Sequence, residues 1–255
     1  MSSPILTVNE PAQGTLLQPA VLSPILTVNG LKMNFGETEV LKNVNFSVAA
    51  GETLGLFGKS GSGKTTLGRC IVGLEKPSAG EILIYEKNTR SRKNTLTMNR
   101  GEFRKLRPKI QMIFQHPETS LDPRMKVFES LIEPLRLHTN LEKAELIKKG
   151  EKLAGLTGLL PELLARYPNQ LSGGEIQRVV LARIMSLSPD FVVADEPTSM
   201  LDASVQAQIL RLMQKIQRET GVSYLLISHD LEVLKTVCNR IAYLENGTIS
   251  SIEKL

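Results

Sequence analysis

The pattern of hydrophobic and polar positions predicts strands and helices that alternate along most of the chain. A glycine-rich turn opens a predicted helix near 63–73, and an amphipathic stretch at about 203–218 predicts a longer one. Alternating or short apolar runs predict strands at 25–35, 40–48, 53–57, 82–85, 110–114, 191–194 and 224–227. Strand–helix–strand alternation of this kind indicates an α/β fold with a mainly parallel sheet and right-handed crossovers.

The pattern also divides the chain into parts. Residues 125–186 are predicted to be mainly helical, with breaks at Pro134, Pro161 and Pro168, and we expect a helical subdomain at about 116–186. The heptapeptide SPILTVN at 3–9 recurs at 23–29, and only the second copy continues into a strand-like pattern. We therefore expect residues 1–22 to be a disordered extension and 23–255 to form the folded domain.

Composition excludes several classes of protein. With 255 residues, 41% of them hydrophobic and 22% charged, the chain is long and apolar enough for one large α/β domain. Its two cysteines form no CxxC pair, which argues against a disulfide framework or a cysteine zinc site and favours a reducing cytoplasm. Aromatic residues make up only 4%, which weakens any case for a base-stacking surface.

Charge is concentrated in one stretch. Between Lys87 and Lys109 there are nine basic residues and one acid, Glu102, so this segment carries +8 while the rest of the chain sums to −3. The segment could be a solvated loop followed by a short charged helix. It could equally face anionic lipid headgroups or nucleic acid, and the sequence leaves these interpretations open.

A glycine-rich turn after the apolar strand at 53–57 fits the pattern G-x-x-x-x-G-K-[ST]. Backbone N–H groups in such a turn curl around phosphate oxygens, and the following helix N-terminus adds partial positive charge. Lys64 would place its ammonium on the β- and γ-phosphates, while the Thr65 hydroxyl would bind Mg²⁺. The predicted nucleotide-binding residues are Gly58, Lys59, Ser60, Gly61, Ser62, Gly63, Lys64, Thr65 and Thr66.

Two acidic residues follow the apolar run at 191–194. Because the carboxyl ends of parallel strands face the ligand crevice, Asp195 is placed to hold Mg²⁺. Glu196 is the candidate base for the attacking water, because alternating side chains would point it away from Asp195. An apolar strand that ends in acids is weak evidence alone, but beside a phosphate loop it becomes strong.

A second possible anion site precedes another predicted helix. Ser172, Gly173 and Gly174 lead into Glu175, and their hydroxyl and N–H groups could cradle a phosphate. A serine followed three residues later by glutamate is also an ordinary capping box. Taken alone, the capping box is the simpler interpretation.

Several segments, in their order and spacing, resemble the ATP-binding subunits of ABC transporters. They are the phosphate loop, Gln115, 171–175, 195–196, 199–202 and His229, and the resemblance covers about 25–249. It implies a P-loop nucleotide hydrolase core with a mainly parallel sheet, an antiparallel β-subdomain and a helical insert subdomain.

The resemblance also implies roles for individual residues. The second cradle would bind the γ-phosphate of ATP held by an opposing subunit. Gln115 would sense Mg²⁺ and the water, Asp202 would communicate across the dimer, and His229 would contact the γ-phosphate. Phe35 would stack on adenine, where the family more often has tyrosine, although a lone phenylalanine is equally a core residue. Glu175 stands where the family more often has glutamine.

The segments 114–124 and 202–209 resemble importers of oligopeptides, dipeptides and nickel. This narrower resemblance implies two transmembrane permeases, an extracytoplasmic binding protein and a second ATP-binding subunit at the cytoplasmic face of the cell membrane. We expect a heterodimer, with a homodimer as the alternative, and ATP and Mg²⁺ as ligands. The stretch 116–133 is the candidate permease contact, with an ordinary exposed loop and helix as the alternative.

Two other functions stay open. A soluble ABC-type ATPase that acts on nucleic acid or ribosomes would normally carry a long coiled coil, zinc cysteines or a second cassette, and the sequence has none of these, so no nucleic-acid partner is expected. An ABC exporter subunit is disfavoured by the resemblance of 114–124 to importers.

Overall fold

A computed structural model describes residues 23–85 and 92–255. Within these ranges the strands are β1 (Pro24–Phe35), β2 (Thr38–Ala49), β3 (Thr53–Phe57), β4 (Ala79–Tyr85), β5 (Arg92–Asn94), β6 (Ile110–Ile113), β7 (Phe191–Asp195), β8 (Ser223–Ser228), β9 (Arg240–Glu245) and β10 (Thr248–Lys254). The α-helices are α1 (Lys64–Ile71), α2 (Arg100–Leu106), α3 (Val127–His138), α4 (Lys143–Thr157), α5 (Gly173–Met185), α6 (Ala203–Thr220) and α7 (Leu231–Val237).

The strands form two sheets. The first is antiparallel, with the order β2-β1-β4-β5. The second has the order β10-β9-β3-β8-β7-β6, in which β9, β3, β8, β7 and β6 are parallel and β10 is antiparallel to β9. The predicted combination of a mainly parallel core sheet, an antiparallel sheet and a helical region is confirmed.

The parallel sheet is buried on both faces. In β8, Leu225 and Ile227 join a core that includes α1 and the antiparallel sheet, whereas Tyr224 and Leu226 join a second core that includes α5 and α6. A sheet covered on both sides needs apolar residues at every position. This explains why β3, β7 and β8 appear in the sequence as unbroken apolar runs rather than alternating patterns.

The helical region differs from the prediction at one proline. A break at Pro134 was expected, but α3 runs without interruption through this residue. Proline inside a helix costs about 3 kcal/mol. Leu131, Ile132 and Leu135 are buried on either side of it, and burial of each such side chain contributes about 1.5–3 kcal/mol, which offsets that cost. The other two breaks are confirmed, because Pro161–Ala165 and Pro168–Gln170 are short 3-10 turns.

Some predicted features lie outside the described residues. These are the expected extension 1–22 and the part of the basic segment that contains Lys87 and Arg90. Within the described ranges, every helix is too short or too polar to cross a membrane.

Candidate functional site

The glycine-rich turn is shaped by close backbone contacts at the carboxyl end of β3. A Cβ atom at Gly58 would lie 2.5 Å from the Leu244 carbonyl oxygen, so the loop passes directly against β9. Gly63 has a φ of 101° and caps α1, and a side chain there would meet Leu41 of β2 at 2.9 Å. Only glycine fits these two positions without strain. Strands from both sheets therefore hold the loop in place.

Lys64 is held inside this loop by the loop's own backbone. Its Nζ donates to the carbonyl oxygens of Gly58 at 2.7 Å and Lys59 at 3.0 Å. Burial lowers the pKa of the Lys64 ammonium, while Glu196 and Asp195 act in the opposite direction. The loop therefore fixes the Lys64 ammonium at the place where the phosphate charge of a nucleotide would arrive, within the electrostatic influence of both carboxylates.

Thr65 and Asp195 form an oxygen pair at the start of α1 and the end of β7. The Thr65 hydroxyl donates to Asp195 Oδ1 at 3.2 Å. Asp195 is 3% exposed, and burial raises the pKa of its carboxyl, which the Thr65 hydrogen bond partly opposes. Hydroxyl and carboxylate oxygens are ligands that Mg²⁺ prefers, and Mg²⁺ in such sites takes most of its other ligands from phosphate and water. The pair fits a magnesium ion that binds together with a nucleotide.

Glu196 lies just beyond β7 and takes a left-handed conformation with a φ of 46°. Its Oε1 lies 2.9 Å from His229 Nδ1, and its Oε2 accepts a hydrogen bond from Gln115 Nε2 at 3.3 Å. A carboxylate can only accept, so His229 carries a proton on Nδ1. The structure thus brings together the three residues predicted to act in catalysis.

Of the predicted catalytic and magnesium-binding residues, Thr65, Gln115, Glu196 and His229 line one cleft of about 440 Å³, whereas the buried Asp195 does not. Its walls are Val40, Ser60, Gly61, Gly63, Lys64, Thr65, Thr66, Gln115, Glu196 and His229. Gly58, Lys59 and Ser62 line a neighbouring cavity of about 620 Å³, which shares Val40, Ser60 and Gly61 with the cleft. The buried hydroxyl of Ser62 has no hydrogen-bond partner among the described residues.

The predicted site residues Phe35 and Asp202 do not line the cleft. Phe35 ends β1 opposite Thr38 and is 49% exposed, so it is not a core residue and its ring has a free face. Asp202 caps α6, where its Oδ1 accepts from the Val205 N–H at 3.0 Å. A side chain at Gly174 would meet Val205 at 2.6 Å, so Asp202 and the start of α5 are neighbours.

The second cradle is exposed and does not line the cleft. Ser172 and Gly173 are exposed at the N-terminus of α5, and none of the residues that line the cleft belongs to this helix. The capping box is present, because Glu175 Oε2 accepts from both the N–H and the hydroxyl of Ser172 at 2.7 Å. These two hydrogen bonds lower the pKa of the Glu175 carboxyl.

Sequence reasoning missed two residues around the site. Val40 lines the cleft, although an apolar residue in a strand gives no signal for such a role. Arg183 of α5 donates to the Ser120 carbonyl oxygen and to Glu133 Oε2, the latter at 2.5 Å. It therefore ties the segment that follows Gln115 to the helix that begins with the second cradle.

Comparison with known proteins agrees with this geometry. The ABC transporter family model matches residues 41–199. A putative peptide import ATP-binding protein of Brucella ovis is 40% identical over 234 residues, covering 90% of this chain and 72% of the relative. The oligopeptide transport ATP-binding protein OppF of Streptococcus pyogenes is 43% identical over 235 residues, covering 89% and 74%.

Solved structures show the same fold. A dimeric ATP-binding cassette, MJ0796, bound to ADP and phosphate, has a TM-score of 0.78 and 32% identity, covering 90% of this chain and 98% of that one. The protein cbiO1 of Clostridium perfringens, part of an ABC transporter complex, has a TM-score of 0.81 and 27% identity, covering 91% and 89%.

A phosphate loop, an acidic strand end and a helical region on this fold define a nucleotide-binding ATPase. The chain belongs to the ATP-binding proteins of ABC transporters, which bind ATP and are ATPases coupled to transport.

Proposed function

We propose that this chain hydrolyses ATP to drive the import of oligopeptides. The names of the Brucella and Streptococcus relatives support this cargo, as does the importer-like sequence at 114–124. Nickel is the other cargo that this sequence resemblance suggested. An exporter or a nucleic-acid ATPase is less well supported, because the relatives carry import and transport names.

In the proposed mechanism, one nucleotide binds with its phosphates on the loop from Gly58 to Thr66 and its adenine on the exposed ring of Phe35. Lys64 contributes a fixed positive charge to the β- and γ-phosphates. Thr65, Gln115 and Asp195 hold Mg²⁺, which neutralises phosphate charge when bound.

Glu196 orients and deprotonates the attacking water in this proposal. Gln115 and His229 fix the two oxygens of its carboxylate, so the base is held in one orientation before substrate arrives. Because His229 Nδ1 is bonded to Glu196, Nε2 is the ring nitrogen that would contact the γ-phosphate.

We further propose that a second ATP-binding subunit completes the site. The observation that carries this is the position of Ser172 and Gly173, which are exposed and lie outside the cleft of their own chain. Their donors would cap the γ-phosphate held by the partner, and Asp202 beside them would meet the partner's cleft. A heterodimer is proposed because importers of this group often use two different ATPase subunits.

The permease contact is proposed for a cavity of about 520 Å³, called here the α2–α3 groove. It is lined by side chains of α2, α3 and α5 and includes Ser120 and Glu133 of the stretch 116–133. Arg183 forms part of its wall and joins both segments, so a permease helix in this groove would displace the Gln115 segment and α5 together. Permeases in this position put the chain at the cytoplasmic face of the membrane, with a binding protein on the other side.

The Ser172→Arg variant tests the two-chain site. The larger charged side chain should leave ATP binding to the separate subunit within about threefold, because Ser172 is outside its own cleft, and should abolish hydrolysis by the assembled transporter. The matched control is Ser251→Arg, an exposed serine on β10. Loss of ATP binding by the separate Ser172→Arg subunit would contradict the proposal.

Uptake measurements test the cargo. Cells with and without this subunit should differ in uptake of labelled oligopeptides and not of labelled nickel. Loss of nickel uptake alone would replace the peptide assignment. Normal uptake of both without the subunit would refute the importer function for these cargoes.

A further inference from the structure

The basic segment takes no part in nucleotide chemistry. Its described part covers β5 and α2 and ends at Lys109, and none of its residues lines the nucleotide cleft. It contains seven basic residues and one acid, and all of these side chains are exposed: Arg92, Lys93, Arg100, Glu102, Arg104, Lys105, Arg107 and Lys109.

Helix α2 has an apolar inner face and a basic outer face. Leu106 is buried in the core formed with the antiparallel sheet, and Phe103 packs against the same core. On a helix with 3.6 residues per turn, Arg100, Arg104 and Lys105 lie on the opposite side. Core packing therefore fixes the helix with these three charges directed to solvent. We call these three residues the basic face.

The single acid of the segment does not neutralise the basic face. Glu102 Oε2 accepts from the Asn99 N–H at 2.9 Å, and its own N–H donates to the Asn99 side chain, so it closes the capping box of α2. In the part of the chain that the structure describes, Arg100, Arg104 and Lys105 form no ion pair.

The position of α2 indicates which partner these charges meet. Arg104 and Arg107 line the α2–α3 groove, so the basic face borders this groove. With a permease in the groove, as proposed above, the basic face would lie beside the membrane. The segment from Lys87 to Lys109 carries a net charge of +8, while the rest of the chain carries −3. This charge distribution favours an orientation in which the segment faces a negative surface.

A lipid surface fits better than nucleic acid. Phe103 is the one aromatic residue of α2, and its ring is packed in the core with the Arg107 guanidinium 5.5 Å from its centroid. No aromatic residue of α2 is therefore free to stack on a base. The basic face offers positive charge without a free aromatic ring and without an element that could read bases in a nucleic-acid groove. Such a surface suits anionic phospholipid headgroups.

We propose that the basic face of α2 binds anionic phospholipid headgroups beside the permease. The proposal relies on the proposed membrane-facing position of the α2–α3 groove, but its test requires no permease. Each basic residue near an anionic surface strengthens binding by about fivefold, so three contribute on the order of a hundredfold.

The test is co-sedimentation of the full chain with vesicles of phosphatidylglycerol and phosphatidylcholine, compared with vesicles of phosphatidylcholine alone. The triple variant Arg100→Gln, Arg104→Gln, Lys105→Gln should lose most of the binding to the anionic vesicles. The matched control removes the same charge from exposed positions on α4 and α6: Lys148→Gln, Arg211→Gln, Arg218→Gln. It should keep binding within a few-fold.

Three results would overturn the proposal. They are equal binding to neutral and anionic vesicles, an equal loss in both triple variants, and tighter binding of the chain to short duplex DNA that the α2 variant alone abolishes. ATP hydrolysis by both variants is measured separately and tests the nucleotide site. A negative result in the lipid assay would therefore not contradict the assignment as a transporter ATPase.

Discussion

Glu175 offers a quantitative test of the second cradle. Its carboxylate accepts both the N–H and the hydroxyl of Ser172 at 2.7 Å. A hydroxyl donates only one hydrogen bond, so a partner's phosphate oxygen would take the Ser172 hydroxyl proton from Glu175, whose carboxylate would keep the Ser172 N–H. With the phosphate oxygen at an ordinary hydrogen-bond length from the Ser172 hydroxyl oxygen, the two negative groups lie roughly 5 Å apart. The Glu175→Gln substitution removes one of these charges but keeps a carbonyl oxygen that can accept in the capping box.

The magnitude follows from Coulomb's law. Two unit charges at this separation repel by about 1 kcal/mol in water and by about 3 kcal/mol at the effective dielectric constant of a protein surface. Glu175→Gln should therefore tighten ATP-dependent dimerisation by roughly fivefold to 150-fold per site. Because the Glu175 carboxyl has a lowered pKa, it stays ionised at neutral pH, and the effect should fade only as acid titrates it.

The assay is sedimentation of the subunit with its partner and ATP, in a Glu196→Gln background that blocks hydrolysis. Glu145→Gln is a matched control, since Glu145 closes the capping box of α4 in the same way, with its Oε2 accepting from the Glu142 N–H. The gain should shrink with added salt, which screens exposed charges. If Glu175→Gln leaves dimerisation unchanged or weakens it, the proposal that a phosphate held by the partner binds beside Ser172 is wrong.

Three further substitutions test the site and the core. Glu196→Gln should lower kcat for ATP hydrolysis by about 10²–10⁴ and leave nucleotide affinity nearly unchanged; a loss below tenfold would exclude Glu196 as the base. Gly58→Ala should weaken ATP binding at least about tenfold, because the Leu244 carbonyl oxygen is 2.5 Å from the new Cβ, whereas Gly155→Ala meets no atom within 4 Å and should bind normally. Tyr224→Phe should increase the free energy of unfolding by about 1 kcal/mol, measured as a higher urea midpoint, because the buried hydroxyl has no partner among the described residues; a clear destabilisation would reveal one.

Much of the core fold was predictable because strands buried on both faces of the parallel sheet appear in the sequence as continuous apolar runs. Strands β3, β7 and β8 lie within about one residue of the apolar runs that predicted them. The C-terminal hairpin of β9 and β10 was not predicted. Its outer strand β10 is mostly exposed and polar, so burial leaves little pattern in its sequence.

The site was predictable in composition but not in geometry. Glu196 was expected to diverge from Asp195 through strand alternation, yet it lies beyond β7 in a left-handed turn, and that turn sets its direction. Such a conformation costs a nonglycine residue about 1–3 kcal/mol and is set by tertiary contacts. The position of Ser172 outside its own cleft likewise depends on how α5 packs, which no local pattern encodes.

The two carbonyl contacts of Lys64 bear on how quickly substrate can be exchanged. The ammonium already occupies a defined place, 2.7 Å from one backbone oxygen and 3.0 Å from another. When a triphosphate binds, phosphate oxygens therefore replace the two carbonyl oxygens as hydrogen-bond acceptors for Lys64, and no flexible side chain has to be ordered. When the product leaves, the carbonyl oxygens become the acceptors again. Nucleotide binding and product release then require little rearrangement of Lys64, so the slower motions of the transport cycle would be those of the surrounding subunits.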